Sequence, residues 1–377
     1  APGKNGKGGE GGQGGLGAGG GLYAQSGNVT LTGVVIKNSF FTGGDGGHGG
    51  TGGTIGTFTA AGLDGTGGRG GEGGQLLGGG VYVGSGSLVL DTVNVLGNRM
   101  GDTGLARPDG GTGGSAPVGK GGRGGDGGSL EGLGIYVSTG SPSVIIKNSS
   151  FVNNGLQDGR TFPVAGNGGR GGVGQPGLEG APGLGGNAQG GGLWSGAGTT
   201  LVSNSTFSGN FIGAGGRSGS FSIGGDGSLN GSGEGGGIYL TAGIAAVHNS
   251  TVVENQSKNG GGGIAAKGSL NLISSIVGLN NTIVGFNDLS NGNDVSIPTA
   301  ITGLANLLST NVNGNAPDNI SSFPFLNGTT NIVYGFLTHA SNGTDYHPIV
   351  AGSRALDTGS NPDNLLIDQI GKARSQG

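Results

Sequence analysis

The stretch GGGIYLTAGIAAVHNSTVVEN at 235–255 decides the fold. It opens on a glycine corner, passes an apolar–aromatic pair, runs into a second apolar strand and closes on Asn255. The corner recurs as GGGLY at 19–23, GGGVY at 78–82, GLGIY at 132–136, GGGLW at 190–194 and GGGIA at 261–265. Strand-like runs follow at 29–36, 88–95, 144–151, 200–207, 245–252 and 270–277. A unit that cannot bury its apolar face alone does so by stacking on copies of itself.

Aligning the copies produces columns. One holds Leu31, Leu90, Ile146, Val202, Val247 and Leu272. A second holds Ile36, Val95, Phe151, Phe207, Val252 and Val277, and a third Leu22, Val81, Ile135, Leu193, Ile238 and Ile264. Strand side chains alternate faces with period two, and matched residues in stacked strands lie ~4.8 Å apart. Each column therefore predicts an aliphatic ladder inside a coil. Gly and β-branched residues are poor helix formers, which argues against a helical repeat. The expectation is an all-β chain, a right-handed parallel β-helix (β-solenoid).

Two further columns are candidate ladders. Tyr23, Tyr82, Tyr136, Trp194 and Tyr239 sit next to inward positions, so the alternation points them out of the coil. Their stripe reads as shielding of the coil wall, or as a platform for a sugar or a partner. Asn98, Asn154, Asn210, Asn255 and Asn280 end successive units. Asn accepts turn conformations and bonds to nearby backbone, so this column reads as a structural ladder. The NSS and NST triplets at Asn148, Asn204 and Asn249 match the N-glycosylation pattern. They recur because the corner recurs, which favours structure over glycan.

Gly accounts for 102 of the 377 residues and Pro for only 12, too few for collagen. The formal charge of −4 and the regular apolar clusters argue against disorder. The glycine concentrates in insertions at 43–77, 99–131, 155–189 and 211–234. These carry triplets such as GGRGGEGG at 67–74 and GKGGRGGDGG at 119–128. Period three matches a left-handed extended helix. The insertions are expected to form polyglycine-II-like hairpin arms stacked on one side of the solenoid. Lys7 and Glu10, Arg69 and Glu72, and Arg123 and Asp126 should each share an edge of an arm. The tract 3–20 reads as a return arm without an outgoing partner. Residues 1–280 are thus the solenoid with its insertions. In 281–377 the triplets vanish, and this part is expected to form the last turns and a C-terminal cap over the open edge.

The chain has no basic stripe for nucleic acid and no apolar run of the ~18 residues a membrane span needs. It begins at APGKNGKGG, inside a glycine tract, and reads as a mature, trimmed or recombinant piece.

The repeated GGGIY…NST unit resembles bacterial right-handed parallel β-helix repeat proteins. SSIVGLN (274–280), NDVS (293–296) and NLL (306–308), followed by HPIVAGSRALDTGSN (347–361) and DQIGKAR (368–374), resemble a choice-of-anchor Q-type C-terminal region. The resemblance covers 19–42, 78–98, 132–154, 190–210 and 235–377, and the glycine hairpins depart from it. It implies a secreted, surface-anchored bacterial protein, its C-terminal sorting signal removed by processing.

β-Helices also host pectin lyases and polygalacturonases, which need clustered carboxylates for Ca²⁺ or for acid–base work. Here Asp91 stands alone on its strand and Glu254 sits at a turn. His48, His248, His339 and His347 lack metal-ligand spacing. Asp357, Asp363 and Asp368 are expected to tie loops through Asx turns and Arg354 or Arg374. No catalytic, cofactor-binding or metal residue is assigned. The resulting expectation is a non-catalytic extracellular structural protein. It would be a rigid surface or fibre subunit that self-associates end to end into a filament or surface layer and acts in cell-surface structure or adhesion. The alternatives are a polysaccharide-binding or -cleaving β-helix protein and an ice-binding protein.

Overall fold

A computed structural model of the chain describes residues 7–49, 66–101, 108–116, 119–155, 164–174, 178–219, 230–241, 243–273, 336–348, 361 and 363–374, with the strand backbones between 276 and 323. Regular structure among these residues is entirely β, without a helix. The chain visits three sheets in fixed order, once per rung. In the first rung the visits are Leu22–Ala24, Val29–Thr32 and Val35–Lys37. The first and third sheets have eight strands each and the second has seven, and all pairs are parallel. Stacked parallel sheets of this kind are compatible with a β-solenoid.

The register follows the sequence columns. Leu22 pairs with Val81, which pairs with Ile135, then Leu193, Ile238 and Ile264. Leu31, Leu90, Ile146, Val202, Val247 and Leu272 align in the second sheet. In the third, Ile36, Val95, Phe151, Phe207, Val252 and Val277 align. Val81, Leu90, Val95 and their partners as far as Leu272 share one continuous buried core against which Leu22 and Leu31 pack, with Phe151 stacked on Phe207 at 4.3 Å. A fourth, five-stranded sheet of two-residue strands precedes the first face, at Gly17–Ala18, Leu76–Leu77, Leu130–Glu131, Ala188–Gln189 and Gly233–Glu234.

The glycine triplets form a hydrogen-bonded array beside these sheets. One rail runs through successive arms: Gly47 donates its N–H to Gly12, Gly71 to Gly47, Gly111 to Gly71, Gly125 to Gly111, Gly169 to Gly125 and Gly183 to Gly169, each at 2.7–2.9 Å. A second set runs the opposite way, from Gly11 to the Arg69 carbonyl, Gly70 to Arg123 and Gly124 to Ala181, all at 2.9 Å. The third N–H of a triplet is met by a side chain one layer earlier. Asp45 accepts from the Asp109 N–H at 3.0 Å, Asp109 from Asn167 at 2.6 Å, and Asp126 from Leu184 at 2.7 Å. His48 accepts from the Thr112 N–H in the same way at 3.2 Å. This explains the Asp, Asn and His that follow glycine pairs: each supplies an acceptor to a backbone donor that would otherwise go unpaired. On the edge, Lys7 bridges Glu10 at 2.7 Å, Arg69 bridges Glu72 at 2.8 Å, and Arg123 bridges Asp126. Such exposed pairs contribute roughly 0–1 kcal/mol each.

Strands continue the stack as far as Ile320–Phe323. The described residues 336–348 and 363–374 lie away from that last strand. They run back along the flank of the second to fifth rungs. Asn94 donates to the Gly343 carbonyl and to Asp345, the Asp345 N–H donates to Ser150, Thr206 donates to Gln369, and Ser203 donates to Asp363. The physical reason is that the corner residues of those rungs present a column of polar groups, which a non-repetitive tail can satisfy.

Asp363 is the strap's anchor. It accepts from Ser203 Oγ at 2.7 Å and lies 2.9 Å from His248 Nδ1, joining two rungs. Burial pushes its carboxyl up, but the hydrogen bonds from Ser203 and His248 and the charges of His248 and Lys147 outweigh that and hold it below the usual carboxylate range. A depressed carboxylate stabilises the fold above its unfolded pKa and loses that contribution as pH falls through the folded value. Asp363→Ala should therefore lower stability by about 1–2 kcal/mol at neutral pH. It should also speed proteolysis within 361–374, and the difference from wild type should shrink in acid. Urea titration at several pH values, with limited proteolysis, reads all three effects.

Candidate functional site

The aromatic column is the feature most open to a functional reading. Its rings stack in sequence: Tyr23 on Tyr82 at 5.0 Å, Tyr82 on Tyr136 at 5.4 Å, Tyr136 on Trp194 at 4.4 Å, and Trp194 on Tyr239 at 6.4 Å. Lys267 lies 6.0 Å from the Tyr239 ring centre and ends the stack as a cation over a π face. The stripe faces away from the aliphatic core but is not an open platform. Ala18 and Leu77 of the short fourth sheet pack on it, and Tyr82, Tyr136, Trp194 and Tyr239 are buried. Only Tyr23, on the first rung, is 48% exposed. A two-residue strand carries no periodicity, so this cover leaves no pattern to read in the sequence.

Behind the rings the fourth sheet places Ala18, Leu77, Glu131, Gln189 and Glu234 in one column. Gln189 donates to the Tyr239 hydroxyl at 2.9 Å and accepts from Trp194 Nε1 at 3.4 Å. Lys267 bridges Glu234 at 3.1 Å. Burial pushes the Tyr136 and Tyr239 phenols up, reinforced by Glu131 and Glu234 respectively. Burial alone pushes the Glu131 carboxyl up to about 7.

Glu131 makes stability depend on pH. Its folded pKa lies above the ordinary carboxylate value of 4.5, so between those values the folded chain holds a proton that the unfolded chain has released. Stability therefore falls as pH rises from about 4.5 to about 7, and stays lowered above that. Glu131→Gln places a neutral amide there, as at Gln189 in the same column. The variant should be more stable than wild type by about 3 kcal/mol at pH 8 and nearly equal to it at pH 4.5. Thermal melts across that range measure the difference.

The Asn column is buried and continuous. The Asn98 amide donates to Asn154 Oδ1 at 3.0 Å, Asn154 to Asn210 at 2.8 Å, and Asn210 to Asn255 at 2.9 Å. Each amide also donates to a carbonyl of the rung before: Ile36, Val95, Phe151 and Phe207 in turn. Asn280 lies outside the described residues. A serine ladder runs beside it, unanticipated. Ser149, Ser205 and Ser250 accept the N–H of Val93, Ser149 and Ser205, and donate to the carbonyls of Lys147, Ser203 and His248. The repeated NSS and NST triplets were its signal. Their asparagines take left-handed backbone, with φ of 49°, 52° and 46° at Asn148, Asn204 and Asn249. Asn204 is buried, donates to Asn148 at 2.6 Å, and accepts from Arg374 at 2.6 Å.

The remaining titratable groups are engaged locally. Asp91 accepts from Asn148 and Thr92. His339 bonds Asp345 at 2.7 Å and His347 bonds Ser208 at 2.9 Å. Asp368 accepts from the N–H groups of Ile370 and Lys372, tying its own loop. Asp363 grips the coil instead of an arginine, contrary to the sequence expectation. Asp357 and Arg354 lie outside the described residues. Among the described residues no cluster of three or more His, Asp or Glu could hold a metal ion, and no helix is long and apolar enough to cross a membrane.

No family model, curated protein or solved structure matches this chain.

Proposed function

We propose that the chain is a non-catalytic, extracellular structural protein. In this reading it is a right-handed parallel β-helix flanked by polyglycine-II-like arms, a rigid rod of the bacterial cell surface that joins other rods through its ends. One observation carries the reading. The groups that recur in every rung direct their bonding capacity at the next rung. Asn amides bond Asn amides, rings stack on rings, and glycine N–H groups bond glycine carbonyls. Such a layout yields stiffness along the stack and keeps its recurring groups away from a substrate. Among the described residues the first-rung strands pair on one side only, and edges of that kind add further strands.

Electron microscopy and light scattering of the 377-residue chain test the reading. The expected result is rods joined at their ends, with mass rising with concentration. Monodisperse single rods at every concentration would remove the end-to-end assembly. Turnover of polygalacturonate, with or without Ca²⁺, would remove the non-catalytic part.

A further inference from the structure

Among the described residues the two ends of the glycine array differ. At the far end the Ser218 N–H donates to Asn230 at 2.8 Å, and the Gly233 N–H donates to Asn259 at 2.7 Å, so side chains terminate the lattice. Among the described residues nothing terminates the arm at 7–17 in this way. A Cβ at Gly9, Gly12 or Gly15 would meet nothing within 4 Å. At the matching Gly68, Gly71 and Gly74, a Cβ would run into the carbonyls of Gly9, Gly12 and Gly15. Gly71 donates its N–H to the Gly47 carbonyl, yet Gly9, Gly12 and Gly15 donate to none of the described residues. The Glu10 and Gln13 carbonyls likewise receive no donor from the described residues, while their counterparts at Arg69 and Glu72 do. Continuous with this strip is the edge of the first rung, where Leu16, Tyr23, Val35 and Phe40 are exposed.

We propose that this edge is the contact face for a second copy of the chain, with the two 7–17 arms lying antiparallel across a twofold axis. The array itself shows five layers deep what covers such a strip: another glycine-triplet arm. The 7–17 arm of a second copy carries the same open donors and acceptors, so it can supply that cover. The strip carries both donors and acceptors, as a twofold, self-facing contact requires. Lys7 and Glu10 neutralise each other on it, so two copies meet without like-charge repulsion. A free glycine peptide would have to be ordered on binding, whereas both arms of the pair are already ordered. A twofold contact closes on itself, so it makes pairs.

The inference rests on the proposed association through the ends, and the test separates the two. Gly9→Ala, Gly12→Ala and Gly15→Ala together place methyl groups in open space, so the circular dichroism and melting temperature should match wild type. Light scattering over a hundredfold concentration range should show wild-type pairs and at least tenfold weaker pairing in the triple variant. The chain has no Cys, so Gln13→Cys supplies a second readout. Position 13 lies near the middle of the strip, and oxidation should give covalent dimers that the three alanines abolish. A triple variant that associates as tightly as wild type would sink the strip and leave end-to-end assembly standing. Wild-type pairs that Gln13→Cys does not cross-link would also sink it. A wild type that stays monomeric would overturn both readings. Binding of the peptide GGDGGHGGTGG by a monomeric chain would overturn the second copy as occupant.

Discussion

Gly125→Ala should cost roughly 3 kcal/mol or more, although it adds a single methyl to a residue outside the aliphatic core. The Cβ would press against the carbonyl of Gly71, far inside the 3.0 Å that real Cβ atoms keep from backbone. Backbone cannot step aside as a flexible side chain can. The rail bonds from Gly169 to Gly125 and from Gly125 to Gly111 would stretch, and with them the alignment of three layers. Gly12→Ala is the matched control, with the same residue type at the same triplet position. It faces open space, so it should leave stability within about 0.5 kcal/mol. Paired melts of the two variants, with hydrogen exchange on the arms, read the contrast. Equal effects would mean that the array contributes nothing through close approach.

Asn210→Ala is the second large loss, expected at roughly 3–5 kcal/mol. Asn210 accepts from the Asn154 N–H and amide at 3.2 and 2.8 Å, and donates to the Phe151 carbonyl and to Asn255 at 2.8 and 2.9 Å. Truncation strands donors and acceptors of three different residues in a place sealed from water. Asn210→Asp should be no milder, because a carboxylate can still accept from Asn154 but cannot donate to Phe151. Chemical denaturation of both variants gives the numbers. A loss below about 1 kcal/mol would show that the ladder is ornamental.

How far the sequence could be read depended on repetition. The aliphatic columns were legible because apolar residues recur at matched places, and the register pairs Leu31 with Leu90 and Ile36 with Val95 as those columns require. The triplet edge was legible too, since charges three apart must share a face of a threefold helix, and Arg69 does bridge Glu72. What escaped has no period. Two-residue strands such as Leu76–Leu77 leave no alternating pattern, so the cover over the aromatic stripe could not be foreseen. The tail's path over Ser203 and His248 depends on a single aspartate meeting two rungs, which composition does not encode. The serine ladder was in plain sight but resembled a glycosylation motif.

The rails carry a rule about permitted changes in length. Their bonds recur once per triplet, so a residue added within an arm would carry every later glycine out of reach of its partner. Three added residues would restore the phase. Outside the arms no such arithmetic applies. The sequence distance from Tyr23 to Tyr82, on to Tyr136, Trp194 and Tyr239, changes from rung to rung while the rings remain paired neighbours. Related chains should therefore differ freely in the residues that join two arms, and only in multiples of three along the arms themselves.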